Sequence, residues 1–549
     1  MEIINISPKL EKSVEPNLDK INLFYQFFIH SKNPRSKEIK KCLKFNVQNE
    51  FIDQIYLLNE KIYSTEELGI ESEKIIQINI ETRLKFKDVF NYINDNKIQG
   101  YNVIINADIF LDESINNLKY TDMHIIKKMM AILRYEYNYD DIKESKIYGP
   151  RVDSQDTWII HSNFNIKKSE EKIFNFEFGK PGCDNKLVYL MNILGYQLIN
   201  DPGFIKTYHI HASTERDYLS SDRIEKSYGF IIPASIDLNK LSNSNSLAII
   251  GQYTRNFQDI RFDDNTLLYY YILQKIKSNQ PFIIPRIAGI ENNIAVQTKI
   301  NQSNNLLEIV KIYIPKMKNN AGIKLTSEES IIKYSDMYLE AFKNAEIYFG
   351  WDIYGNVYPS IAKSQDFIKN LDQNKKIIWA RALDIFNYIK SCPWTWALIG
   401  KRILIISPFE DSIQEKISIR KEIYGVDLFP ECEIITIKPP QTQGTEESRE
   451  FDIELKIFTD KLDLIKNDYD IALVSCGGYG NLVCNHIYKS GKSAIYVGGV
   501  LQMYFGILGN RWIKEMPDIV RLYLNNHWSR PKDEEKPTNH NNIESSCYW

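Results

Sequence analysis

Apolar residues in the first part of the chain come in short dense runs broken by polar turns. "INLFYQFFI" (21–29), "FIDQIYLLNE" (51–60) and "YNVIINADIF" (101–110) read as strands, with little of the alternation of a half-exposed sheet. Between them, the basic stretch "PRSKEIKKCLKFNVQN" (34–49) is expected to be helical in its first half, and "KFKDVFNYIND" (85–95) reads as an amphipathic helix. Strand and helix alternating in this way predict an open α/β sheet. A second series follows. Its helices are "NTLLYYYILQKIKSN" (265–279), a region around 328–349 and "EFDIELKIFTDKLDLI" (450–465). Its strands are "PFIIPRI" (281–287), "KRILIISPF" (401–409), "CEIITIK" (432–438), "YDIALVSC" (469–476) and "KSAIYVGG" (492–499). The polar "DLNKLSNSNS" (237–246) between the two series reads as a linker. The expected organisation is a domain over 20–236, a linker over 237–264, a second domain over 265–525 and a tail over 526–549. That tail is polar until its last three residues and is expected to lie on the surface.

A length of 549 residues fits two or three cores better than one. A net charge of −3 argues against a broad nucleic-acid surface. Seven scattered cysteines without a Cys-x-x-Cys pair suit a reducing compartment, so a cytoplasmic location is expected. The first twenty residues hold no apolar core of a signal peptide, and no run of ~18 apolar residues predicts a transmembrane segment. The sequence sets no oligomeric state.

Four clusters in the first domain carry candidate chemistry. Asn106 and Asp108 end an apolar strand, where an open α/β sheet has its ligand crevice. Two positions apart on extended backbone, they would project to one side and offer a solvent-facing metal site; the plain alternative is a polar loop. Asp153 and Asp156 precede the apolar run of "DSQDTWII", and Asp184 stands at the start of a helix, where it could cap free N–H groups. His209 and His211 in "HIHAS" would face one way if extended, as ligands or as satisfied histidines.

In this order "NADIF", "SQDTW", "GCDN", "GY" and "HIHAS" resemble a GT-A-like glycosyltransferase family of surface-glycan synthesis, over about residues 20–218. The resemblance implies that Asp108, with Asn106, holds a divalent metal on the diphosphate of a nucleotide sugar, and that His209 or His211 is the late ligand. Asn106 stands in place of the first acid of the family's Asp-x-Asp. Oxygen ligands suit Mg²⁺ or Mn²⁺, and a histidine partner tilts the set toward Mn²⁺. Asp184 is the expected general base, with Asp156 as its alternate.

In the second domain an apolar strand ends in "PRIAGIENNIA", with Arg286, Gly289 and Glu291. Gly477, Gly478 and Gly480 in "SCGGYGN" would let backbone N–H groups approach a phosphate, or would serve close strand–helix packing. Together with the segment running to "GILGNRW", these residues resemble the GT-D glycosyltransferases over about 265–515. Gly289 replaces the Asp of that family's Asp-x-Glu metal motif. This site is therefore expected to depend less on metal and to use Arg286, Glu291 and backbone donors near the glycines.

The two resemblances imply an α/β protein with two Rossmann-like nucleotide-sugar-binding domains, GT-A-like then GT-D-like. They imply a bifunctional glycosyltransferase of the hexosyltransferase class in polysaccharide biosynthesis. A UDP-sugar is the expected donor and a glycan, glycoprotein or lipid-linked glycan the acceptor. The alternative is one active domain beside a degenerate sugar-binding or scaffolding partner.

Overall fold

The computed structural model describes residues 16–31, 33–149, 151–211, 219–231, 233–234, 264–301, 306–351, 359–444, 447–538, 540–543 and 546–549. Its internal contacts divide the chain into two units, Met1–Leu247 and Ala248–Trp549. The polar stretch 237–246 lies outside the described residues.

The first unit holds strands β1 (Ile21–Tyr25), β2 (Gln54–Asn59), β3 (Ile75–Asn79), β4 (Tyr101–Ile105), β5 (Ile109–Leu111), β6 (Lys128–Ile132), β7 (Tyr135–Glu136), β8 (Lys146–Ile147), β9 (Thr157–His161), β10 (Gln197–Ile199) and β11 (Thr207–His209). Seven of them form a mixed sheet in the order β10-β6-β9-β4-β1-β2-β3. Its neighbours are parallel except at β9, which runs antiparallel to both β4 and β6. The continuous apolar runs become its central strands because every residue of β1, β4, β6 and β9 is buried. The basic stretch is helical throughout, over Asn33–Gln48, and not only in its first half.

A second, four-stranded sheet in the order β5-β11-β7-β8 stands beside the first. Between β4 and β5 the chain makes a turn closed by Ile109 N donating to Asn106 O at 3.1 Å. Buried Asn46 pins β5 by donating to Ile109 O and accepting from Leu111 N, both at 3.0 Å. The register of this sheet aligns His209 with Ile109 on one side and with Glu136 on the other.

The second unit holds β12 (Ile283–Ile284), β13 (Ile347–Gly350), β14 (Lys376–Trp379), β15 (Arg402–Ile406), β16 (Glu433–Ile437), β17 (Ile471–Val474) and β18 (Ser493–Tyr496). Five form an all-parallel sheet, β12-β18-β17-β15-β16, and β13-β14 form a parallel pair. Two backbone bonds join the sets, Ile287 N to Phe349 O and Phe349 N to Pro285 O, both 2.9 Å. Helices Glu328–Asn344, Phe451–Leu464 and Gly480–Lys489 contribute to one apolar core with these strands. The chain beyond 526 does not simply lie on the surface: Trp528, Ile543, Cys547 and Trp549 are buried. Among the described residues, no helix is long and apolar enough to cross a membrane.

Candidate functional site

In the first unit the turn after β4 and the register of the second sheet assemble an alternating chain of charges. Asp108 Oδ2 accepts from the Arg35 guanidinium and lies 3.1 Å from His209 Nε2. The other ring nitrogen, His209 Nδ1, lies 3.1 Å from Glu136 Oε2. Glu136 in turn accepts from Arg134 Nε at 2.9 Å, and Arg134 Nη1 donates to Asp156 Oδ2 at 2.6 Å. Asp156 Oδ1 takes the amide of Asn106 at 2.7 Å.

These partners set the protonation states. Burial works against the Asp108 carboxylate, but His209 and Arg35 outweigh it and hold the group well below the usual carboxylate range. Burial also works against the His209 cation, yet Asp108 and Glu136 raise it to about 9. Glu136 is brought down to about 2 by His209 and Arg134, again against burial. His211 stacks on His209 with ring centres 5.1 Å apart, so the pair does share a side. Its Nδ1 meets Arg35 at 3.2 Å, and burial followed by the His209 charge lowers its pKa.

Asn106 and Asp108 depart from the extended arrangement. The turn sends Asn106 to Asp156 and Asp108 to Arg35 and His209. Asp108 is also only 9% exposed, so it is not solvent-facing. A divalent ion on Asp108 would have to displace a guanidinium and a protonated imidazole. Among the described residues, no three His, Cys, Asp or Glu side chains are grouped to hold a metal.

Asp184 is the second residue of helix Cys183–Ile193, whose cap is Gly182 in the left-handed region. It therefore does not hold the N-cap position, though its carboxyl accepts the first-turn N–H of Asn185. It accepts from Gln155 N at 3.3 Å, which brings it beside the Asp156 segment. Burial and then the Asp156 charge push its pKa up to about 7, against the pull of backbone N–H groups at Asn185 and Gln155. A carboxyl poised there can take a proton near neutrality.

In the second unit a cavity of about 370 Å³ opens beyond the carboxyl ends of the strands. Arg286 and Glu291 line it after β12, Trp351 after β13, Arg381 after β14, Phe409 after β15, Gln441 after β16, Gly477 after β17, and Tyr496 and Gly498 at and after β18. Asn481 clamps the Arg286 backbone from both sides, accepting from its N–H at 3.0 Å and donating to its carbonyl at 2.9 Å. The Arg286 guanidinium donates to Val497 O at 2.8 Å. It crosses the face of Gly498, where a Cβ would sit 2.3 Å from Nη1 and where φ is +74°. Glu291, in the first turn of helix Gly289–Ile300, is buried.

The three glycines separate. Gly477 lines the cavity. A Cβ on Gly478 would meet Ile323 at 2.4 Å, and one on Gly480 would meet the Tyr496 ring at 2.3 Å, so both allow close packing. Sequence reasoning missed Arg381, Arg511, Trp351, Tyr496, Tyr548 and Trp549, all of which line the cavity. The aromatic end of the chain was the available signal, and it was read as surface tail. One backbone bond and one side-chain bond fix that end: Arg511 N donates to Cys547 O at 2.8 Å and the Gln502 side-chain Nε2 to Tyr548 O at 3.1 Å.

No protein-family model and no curated protein matches the chain. Among solved structures it is similar to a glycosyltransferase (DUF1792) from Streptococcus sanguinis, with 10% identity and a TM-score of 0.27 over 49% of this chain and 94% of that one. HddC from Yersinia pseudotuberculosis matches with 10% identity and a TM-score of 0.18 over 26% and 77%. GalNAc-T7, solved with UDP, GalNAc and Mn²⁺, matches with 9% identity and a TM-score of 0.26 over 58% and 57%. Glycosyltransferases are thus among the solved structures to which this mixed α/β chain is similar.

Proposed function

We propose that this chain is a bifunctional glycosyltransferase. Each unit takes a nucleotide sugar, with a UDP-sugar as the expected donor, and passes the sugar to a glycan, glycoprotein or lipid-linked acceptor. The observation that carries this reading is the second-unit cavity. It lies beyond the carboxyl ends of parallel strands, is of ligand size, and sets cationic and aromatic side chains around one buried acid. Such walls suit a nucleoside diphosphate. Guanidiniums match phosphate oxygens, aromatic rings offer stacking faces, and Glu291 on the wall would accept the proton of an attacking hydroxyl.

In the first unit the donor set around Asp108, as arranged, does not fit a divalent ion, and the unit's own groups supply the charges. Arg35 and protonated His209 provide fixed cations for the developing negative charge of a leaving diphosphate, and Asp184 is the base. One observation favours a second reading, in which this unit only binds sugar. Arg35 and His209 are already neutralised by Asp108 and Glu136. A panel of nucleotide sugars separates the two. Release lost with one donor in Glu291→Gln and with a different donor in Asp184→Asn supports two activities, whereas loss of all release in Glu291→Gln supports one.

A further inference from the structure

Among the described residues, the second-unit cavity is rich in guanidinium and poor in carboxylate. Arg286, Arg381 and Arg511 reach its walls, against two carboxylates, Glu291 and Glu515, and one thiol, Cys476. Glu515 lies 3.6 Å from Arg511 and belongs to that pair. Cys476 is buried, and burial pushes its thiol well up, so it presents no thiolate to a metal. Among the described residues, Glu291 is the remaining acid on the walls. Beyond it the walls offer a hard divalent ion neutral oxygens, from Asn320, Gln441, Gln443 and Ser475, while their charged groups are mainly guanidiniums.

The arginines are arranged as though for an anion. Arg286 and Arg381 both stand at the Trp351 ring, 5.2 and 5.9 Å from its centre, within cation–π range. Arg381 donates to buried Asp384 at 3.0 Å, which offsets part of the repulsion between two like charges at one indole, and an anion in the cavity would offset more of it. The Arg286 guanidinium is only partly satisfied. Its Nε is buried without a hydrogen-bond partner, while Nη1 is committed to Val497 O. Arg511 sits over Tyr548, 5.0 Å from the ring centre, and donates to its hydroxyl at 3.1 Å.

We infer that Arg286, Arg381 and Arg511 neutralise the diphosphate of the donor in this cavity without a divalent ion. This rests on the nucleotide-sugar reading above. When the bond between the anomeric carbon and the phosphate oxygen breaks, its electron pair stays on that oxygen as the nucleoside diphosphate leaves. The acceptor oxygen takes its place on the carbon, and the hydroxyl proton goes to Glu291. The charge on the departing diphosphate is met by the three guanidiniums.

The test is calorimetric titration of the full chain with UDP, GDP and CDP and with the matching monophosphates, in chelator and with added MnCl₂. One diphosphate should bind in chelator as tightly as with manganese, and ~10-fold or more tighter than its monophosphate. Arg381→Ala and Arg511→Ala should each weaken this chelator-resistant binding ~10-fold or more. Arg511→Lys, which keeps the charge and much of the packing, should weaken it less. Diphosphate binding that vanishes in chelator overturns the inference and leaves the nucleotide-sugar reading standing. So does chelator-resistant binding that is unchanged in both alanine variants, with folding confirmed by circular dichroism. No binding of any nucleotide in either condition overturns the reading itself.

Discussion

Asp184→Asn separates the chemical role of this side chain from its structural one. In the native chain burial and the Asp156 charge raise the carboxyl from its usual 3.8 to about 7. The folded protein therefore keeps this proton between about pH 4 and about pH 7 while the unfolded chain has lost it. The sign is fixed: stability falls as pH rises through that window and levels off above it. The full rise corresponds to a ceiling of about 4 kcal/mol, reduced by whatever water the partly exposed side chain recovers. Asparagine carries no charge and keeps an oxygen for the Gln155 N–H, so the variant should lack this slope. Urea denaturation should show Asp184→Asn more stable than wild type near pH 8 and close to it near pH 4. Turnover of the first-unit donor should fall ~100-fold while nucleotide binding is kept, the scale of a lost general base. In wild type that turnover should decline as pH drops through about 7. An asparagine variant with wild-type turnover and a wild-type pH dependence of stability refutes the reasoning.

Other side chains give equally direct outcomes. Asp108→Ala leaves Arg35 and His209 without their shared carboxylate, so it should cost about 3–5 kcal/mol in urea denaturation and lower the His209 pKa in an NMR titration. His209, raised to about 9, contributes stability that is complete below about pH 6.5 and is lost as pH rises through about 9. His209→Gln should abolish that slope, whereas His211→Gln, whose pKa is lowered, should leave it in place. Gly498→Ala should cost about 1–2 kcal/mol because φ is +74°, and it should also weaken nucleotide binding by pushing Arg286 off Val497 O.

Strands with dense apolar runs were legible in the sequence: β1, β2, β4, β12, β15, β16, β17 and β18 fall inside runs recognisable from composition. β3, β6 and β9 were not. β3 mixes Gln and Asn with isoleucine, and β9 is apolar but antiparallel, an orientation that a strand–helix alternation does not encode. At the first site the residue types were legible and their grouping was not. One hydrogen-bonded turn after β4 separates Asn106 from Asp108, and only the register of the second sheet brings His209 and Glu136 together. Arg35 and Arg134 come from distant segments and leave no local signal. At the second site Arg286 and Glu291 were visible beside a strand end. Arg381, Arg511 and Tyr548 join them only because parallel strands end at one edge and the last residues are pinned there.

The central claim is two sugar-transfer activities on one chain. Its most direct test is nucleotide release by the full-length protein across a nucleotide-sugar panel, comparing wild type, Asp184→Asn, Glu291→Gln and the double variant. Each single variant should lose a different activity and the double variant both. Release that is absent with every donor, or that disappears entirely in one single variant and is untouched in the other, would contradict it.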